Sequence, residues 1–156
     1  MEVELRRATL RVRTTVVPTS PAAVPVTFGF HPYLVLPGVA RASWRIELPV
    51  RCYLVTDERL IPAGPPERVE PYAGELGERT YDDGFDHLDT PAVFALDGGG
   101  RRIEVAFESG FPVAQVYAPG GSDVVCFEPM TAPANALVTG AYPVAPYAAT
   151  FSVRVG

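Results

Sequence analysis

The stretch Arg102–Glu108, RIEVAFE, decides the predicted fold, because its apolar and polar residues alternate. Ile103, Val105 and Phe107 occupy every second position of this stretch. Successive side chains of a β-strand point to opposite faces of its sheet, so the pattern predicts a strand with one buried face. The preceding Asp97–Gly100, DGGG, predicts a tight turn that joins this strand to the apolar run before it.

The same pattern recurs along the chain. Alternating segments lie at residues 10–16, 44–48 and 149–155, and shorter apolar runs that also predict strands lie at 24–30, 52–55, 92–96, 113–118 and 124–127. The 17 prolines and 14 glycines leave little room for a long helix, so only residues 131–137, TAPANAL, predict a helical turn. The sequence therefore predicts a single all-β domain over residues 1–156, built as a sandwich.

One segment, about residues 57–91, has little strand pattern and is predicted to be a long loop. A loop of this length inside a compact domain is usually functional or disordered. Its second half is rich in side chains that bind hydroxyl groups: Tyr81, Asp82, Asp83, Asp86, His87 and Asp89. The same acidic groups are equally consistent with a solvated loop. His87 stands among aspartates whose spacing does not fit a calcium loop, so we predict no metal site there.

Composition excludes several classes of function. The net charge is −5 and the 13 cations are all arginines spread along the chain, which argues against a nucleic-acid-binding protein. No apolar run approaches the roughly 18 residues of a membrane-spanning helix, and no secretory signal is visible, so we expect a cytoplasmic protein. Cys52 and Cys126 lack metal-site spacing and are expected to be free thiols.

Two residues stand out as candidates for acid–base chemistry. His31, in FGFHPYL, and Glu128, in VVCFEP, each directly precede a proline. A residue before proline is pushed into extended backbone, so both side chains are predicted to project from stiff, strand-like segments at the edge of apolar runs. An imidazole and a partly buried carboxylate can move a proton between two oxygen atoms near neutral pH. The spacing alone favours the alternative of a histidine bonded to backbone and a glutamate paired with an arginine.

Four motifs favour a catalytic role of the two residues over a structural one. In order along the chain they are VPVTFGFHPYLVLPG (24–38), RTYDDGFDHL (79–88), AQVYAP (114–119) and CFEPMTAPANAL (126–137). Together they resemble the ordered motifs of the aldose 1-epimerase, or galactose mutarotase-like, family. The resemblance implies a β-supersandwich that binds a sugar in a shallow cleft without a cofactor. It also implies that Glu128 takes the proton of the anomeric hydroxyl while His31 protonates the ring oxygen, so that the ring opens and closes again as the other anomer.

The resemblance also suggests residues that contact the substrate. Asp82, the aspartate of a D-x-x-F element that ends at Phe85, would bind sugar hydroxyls, with Asp83 or Asp86 as alternatives. Gln115 is the one polar residue among apolar neighbours and is a further candidate. Tyr33 or Phe30 would stack on the apolar face of the sugar ring.

The motifs correspond to the C-terminal portion of the family's domain only. The other portion, which carries an arginine and a second histidine that contact substrate, has no counterpart here. We therefore expect uncovered sheet surface and strand edges, and a homo-oligomer, most simply a two-fold dimer, that covers them. A mutarotase, a non-catalytic sugar-binding or structural module, and an incomplete half that needs a partner chain all remain open.

Overall fold

The computed structural model describes residues 1–156 as a sandwich of two antiparallel sheets, which confirms the predicted fold class. A single turn of 3-10 helix lies at Arg41–Ser43, and the only α-helix is α1 (Ala136–Thr139), in the region predicted to turn. The strands are β1 (Glu2–Arg6), β2 (Thr9–Val16), β3 (Tyr33–Leu34), β4 (Arg45–Leu48), β5 (Cys52–Tyr53), β6 (Glu67–Arg68), β7 (Tyr72–Glu75), β8 (Tyr81–Asp86), β9 (Ala92–Gly98), β10 (Arg101–Ser109), β11 (Val113–Ala118), β12 (Val125–Met130) and β13 (Tyr147–Val155).

The order of strands defines two layers. The seven-stranded sheet runs β1-β2-β13-β10-β9-β4-β7, and the six-stranded sheet runs β3-β12-β11-β8-β5-β6. The predicted glycine turn joins β9 to β10, where Gly98 pairs with Arg101 and both Gly99 and Gly100 have positive φ. No helix is long and apolar enough to span a bilayer.

The core lies between the sheets and is built from the apolar positions of alternating strands. Phe94 of the seven-stranded sheet and Phe127 of the six-stranded sheet are both fully buried, with ring centroids 5.3 Å apart. Phe107 packs on Phe94 from the neighbouring strand. Because the apolar residues of β12 point into this core, the intervening residues of β12 point to the outer face of the six-stranded sheet.

The prediction of a long loop over residues 57–91 was wrong, since β6, β7 and β8 all lie within it. Strand β8 is central, between β5 and β11, yet its sequence is YDDGFD. Only Phe85 and the partly buried Tyr81 carry an apolar signal there, because the outward positions hold aspartates and Gly84. A strand that has polar residues or glycine on its outer face, and whose inner face has an apolar signal limited to two aromatic residues, is therefore easily mistaken for a loop.

The prediction of a strand at residues 24–30 was also wrong. That segment makes only two isolated bridges, from Pro25 to Val144 and from Gly29 to Met130. Pro25 has no N–H group with which to continue a ladder, which limits regular pairing.

We predict that Phe127→Ala lowers the free energy of unfolding by about 3–5 kcal/mol, because it removes a fully buried ring from the contact between the sheets. Urea denaturation followed by tryptophan fluorescence of Trp44 measures the change. Leu137→Ala is the matched control, since Leu137 is exposed and its truncation should change stability by less than about 0.5 kcal/mol. Equal losses in the two variants would contradict the described core.

Candidate active site

His31 and Glu128 are brought together by main-chain pairing. Tyr33 pairs with Cys126 in the β3–β12 ladder, and Gly29 bridges Met130 on the same two segments. Both pairs belong to one register, which places His31 directly opposite Glu128 on the same face of the sheet. The His31 Nε2 and Glu128 Oε1 atoms are 3.1 Å apart. Two residues almost a hundred positions apart therefore meet as cross-strand neighbours.

Hydrogen bonds between Phe28–Phe30 and Pro129–Thr131 hold this register. The Thr131 hydroxyl and main-chain N–H both donate to the Phe28 carbonyl, and the Phe28 N–H donates back to Thr131 Oγ1. The Phe30 N–H donates to the Pro129 carbonyl at 3.1 Å. A Cβ on Gly29 would lie only 2.9 Å from that same carbonyl oxygen, so glycine permits the close approach of the two segments. The histidine is thus mounted on a fixed backbone, as a catalytic group requires.

The pairing continues across the sheet and assembles two rows of side chains on its outer face. Gln115 of β11 lies opposite Glu128 of β12, and Gly84 of β8 lies opposite Gln115. The neighbouring row consists of Tyr33, Cys126, Tyr117 and Asp82. Since neighbouring strands are about 4.8 Å apart, these residues form one continuous patch that includes the acid–base pair.

Gln115 and Asp82 are joined by a hydrogen bond, in which Gln115 Nε2 donates to Asp82 Oδ1 at 2.8 Å. The absence of a side chain at Gly84 makes room for this contact, because a Cβ there would lie 3.3 Å from Gln115 Oε1. The amide and the carboxylate are therefore pre-oriented beside Glu128, where both can bind hydroxyl groups.

The two members of the acid–base pair have different environments. The His31 ring stacks on Tyr33 with a centroid distance of 4.6 Å and makes a T-shaped contact with Tyr117 at 5.9 Å. The His31 side chain is 45% exposed. The Glu128 side chain is only 12% exposed. Burial, together with repulsion from the Asp82 carboxylate, raises the pKa of Glu128 to about 7. Glu128 can therefore exchange a proton near neutral pH.

Three of the other predicted contacts do not join this patch. Alternation along β8 directs Asp83 to the opposite face, that of Phe85 and Val116, where burial raises its pKa. Asp86 shares the outer face but lies four residues, or about 13 Å, along the strand from Asp82 and accepts a hydrogen bond from His87 when that ring nitrogen is protonated. Phe30 packs into the core against Phe151 at 4.9 Å.

Sequence reasoning missed Tyr117 and the anchor Thr131. Tyr117 follows Gln115 by two positions, so strand alternation alone would have placed it on the same face. Thr131 was visible only as part of the CFEPMTAPANAL motif.

Two clusters contain groups of the kinds that bind metal ions. The donor atoms of His31, Cys126 and Glu128 lie within 4.8 Å of one another, as do those of Cys52, Asp86 and His87. Both cysteines are free, as predicted. Burial, and to a lesser extent the Glu128 carboxylate, raises the pKa of Cys126 to about 12, so its thiol is protonated at neutral pH.

Solved structures share this architecture. The Slr1438 protein from Synechocystis sp. PCC 6803 has a TM-score of 0.78 at 20% identity, with 99% of this chain and 53% of that chain covered. A galactose mutarotase-like protein from Clostridium acetobutylicum has a TM-score of 0.80 at 14% identity (99% and 54% covered). A galactose mutarotase related enzyme from Lactobacillus acidophilus has a TM-score of 0.76 at 14% identity (99% and 59% covered).

At these identities the likeness shows the fold alone, and the chain spans little more than half the length of the three structures. A comparison with curated proteins finds no match. The sequence profile described as aldose 1-epimerase matches residues 1–155, almost the entire chain. The chain therefore belongs to the aldose 1-epimerase family.

Proposed function

We propose that this protein is an aldose 1-epimerase, which interconverts the α and β anomers of an aldose by acid–base opening and closure of the sugar ring. The observation that carries the proposal is the 3.1 Å contact between His31 Nε2 and Glu128 Oε1 on an open face of the sheet. Family membership and the mutarotase-like fold support it.

The proposed reaction moves two protons and needs no other reactant. The Glu128 carboxylate takes the proton of the anomeric hydroxyl while protonated His31 donates a proton to the ring oxygen. The C1–O bond to the ring oxygen breaks, its electron pair goes to that oxygen, and C1 becomes an aldehyde. After rotation about the C1–C2 bond, the former ring oxygen attacks the other face of C1 and gives its proton back to His31, while Glu128 donates its proton to the aldehyde oxygen, which gives the opposite anomer.

The geometry fits the two oxygen atoms concerned. The anomeric and ring oxygens are both bonded to C1, so they are only two bonds apart. An acid and a base in mutual contact can therefore each reach one of them without rearrangement of the backbone. His31 lies just before β3, between two residues that pair with β12, and Glu128 lies in β12, so their separation is set by main-chain pairing.

The protonation state fits as well. A carboxylate with an ordinary pKa would be a weak base, whereas burial raises the pKa of Glu128 to about 7. One proton shared by Glu128 and His31 is enough for the first half of the reaction. The second half regenerates the starting state.

The proposed sugar site is the open outer face of the sheet beside the pair, next to a small cavity of about 30 Å³ that is too small to enclose a pyranose. The lining of this cavity includes Asp82, Gln115, Leu54, Leu60, Met130 and Pro133, so it combines polar and apolar groups. Asp82 and Gln115 would bind sugar hydroxyls, and Tyr33 would cover the ring from the His31 side. Such a mixture matches a pyranose, which has hydroxyls at its rim and an apolar face.

We predict that Glu128→Gln and His31→Asn each reduce the catalysed rate of anomer exchange by roughly 10²–10⁴-fold, since each removes one proton-transfer group. NMR exchange spectroscopy on glucose and galactose measures this rate above the spontaneous background. His87→Asn is the matched control, because His87 lies outside the site, and it should leave the rate unchanged. Equal rates in all four proteins would contradict the assignment, and sugar binding without exchange by the wild type would indicate a binding module instead.

The pKa of Glu128 gives a second prediction. Activity should fall on the acid side with an apparent pKa of about 7, since the base must be ionised. Asp82→Asn should lower the pKa of Glu128, because it removes the repulsion between carboxylates, but burial should still hold that pKa above 4.5. Carbon-13 NMR titration of the Glu128 carboxyl measures both effects. Asp86→Asn should leave the titration unchanged, and a Glu128 that titrates at 4.5 in the wild type would refute this description.

The same shift predicts a cost in stability. Because the folded-state pKa of Glu128 exceeds its ordinary value of 4.5, the wild type is most stable below pH 4.5 with respect to this group and loses that stability as pH rises to about 7. Glu128→Gln should therefore raise the free energy of unfolding by about 1–3 kcal/mol at pH 8 and by much less at pH 5. Urea titrations at the two pH values test this, and an advantage that grows toward low pH would contradict it.

A further inference from the structure

Strands β1 and β2 extend the seven-stranded sheet past the end of the other sheet. The six-stranded sheet begins at β3, and Phe30, just before β3, packs on Phe151 of β13. Only β2 and β1 lie beyond β13, and every residue of β1 is exposed. This hairpin is therefore an overhang with no opposing strand in the chain.

The overhang continues the apolar face of the core into solvent. Val3 pairs with Val12, and Val12 pairs in turn with the buried Phe151, so these side chains share the inner face. Leu5 pairs with Leu10 on the same face. The exposed fractions are 59% for Val3, 73% for Leu5 and 37% for Leu10. A contiguous exposed apolar surface of this kind marks an interaction site.

The outer edge of β1 also presents free main-chain groups. The two-residue turn Arg7–Ala8 makes Arg6 and Thr9 the closing hydrogen-bonded pair of the hairpin. Hydrogen bonding alternates along an antiparallel ladder, so Val3 and Leu5 direct their N–H and C=O groups to the free edge. Such an edge is a template for another strand.

We propose that this edge is the interface of a two-fold dimer, in which β1 pairs antiparallel with β1 of a second copy and Glu4 lies on the symmetry axis. Val3 of each copy then lies opposite the partner's Leu5. Their main-chain groups complete hydrogen bonds that a single copy leaves open, and the apolar surfaces of the two overhangs join around the axis.

The charges of β1 select this register. A slip by one residue in the pairing would put polar residues opposite apolar ones, so only registers centred on Val3, Glu4 or Leu5 remain. Centring on Val3 places Glu2 against Glu4. Centring on Leu5 places Val3 against Arg7, which lies in the turn with φ 52°.

Centring on Glu4 pairs all five residues of β1 and sets Glu2 opposite the partner's Arg6 on both sides of the axis. The two Glu4 carboxylates that meet at the axis are each already paired with Arg6 of their own chain. The five-residue sequence EVELR is therefore complementary to itself when reversed.

A single cysteine at the axis tests the register. In a Cys52→Ala background, where the remaining Cys126 is buried, Glu4→Cys would face its own copy. The Cα atoms of such a non-hydrogen-bonded pair are about 4.5 Å apart, within reach of a disulfide. We expect mild oxidation to give a covalent dimer. The control Glu2→Cys should not cross-link, because its copies would lie roughly 13 Å apart.

Light scattering after size-exclusion chromatography tests the assembly itself. The wild type at micromolar concentration should have twice the mass of 16.8 kDa, Leu5→Lys should be a folded monomer, and Glu4→Gln should remain dimeric. Leu5 is exposed, so near-UV circular dichroism should show an intact fold in the monomeric variant. A folded wild-type monomer, a dimer that survives Leu5→Lys, cross-linking at Glu2 instead of Glu4, or an overhang covered by a different polypeptide would each overturn the proposal.

Discussion

The pairing of residues 29–34 with β12 is the constraint on which the site depends. This short ladder lies at the edge of the six-stranded sheet, where only one neighbouring strand is present to hold it. The hydrogen bonds between Thr131 and Phe28 and the absence of a side chain at Gly29 fix its register. A shift by one residue would turn His31 toward the core and bring Phe30 to the surface. The same register is therefore required for the contact between His31 and Glu128 and for the packing of Phe30 in the core.

Strand alternation lets the same strands serve both stability and the proposed chemistry. In β12, Phe127 enters the core while Glu128 and Cys126 lie on the outer face beside the residues of β11. One electrostatic consequence falls on Glu128, whose burial and whose neighbour Asp82 raise its pKa to about 7. A group that is costly to ionise in the folded protein is the one best suited to accept a proton near neutral pH.

The fold class could be predicted from sequence, because alternation and prolines are local signals. The sequence also suggested His31, Glu128, Asp82 and Gln115, which the structure brings together on one patch. The resemblance implied that His31 and Glu128 act on one sugar, but the register that sets them opposite each other could not be predicted. Register is a long-range property set by contacts such as that of Thr131 with Phe28. Asp82 and Asp83 are adjacent residues of the same type. Only the alternation of side chains along β8 shows that Asp82 faces the patch and Asp83 faces the opposite side. That strand escaped prediction because its outer positions are polar or glycine. Of the two aromatic alternatives for stacking on the sugar, Tyr33 lies on the patch and Phe30 packs against the core, a difference that ring chemistry alone does not reveal.

A double-mutant cycle on anomer exchange tests most directly whether His31 and Glu128 act as one unit. If they do, the variant that carries both His31→Asn and Glu128→Gln is no slower than the slower single variant, because loss of either group already disables the paired proton transfer. Rate reductions that multiply in the double variant would show two independent groups and would contradict the paired mechanism.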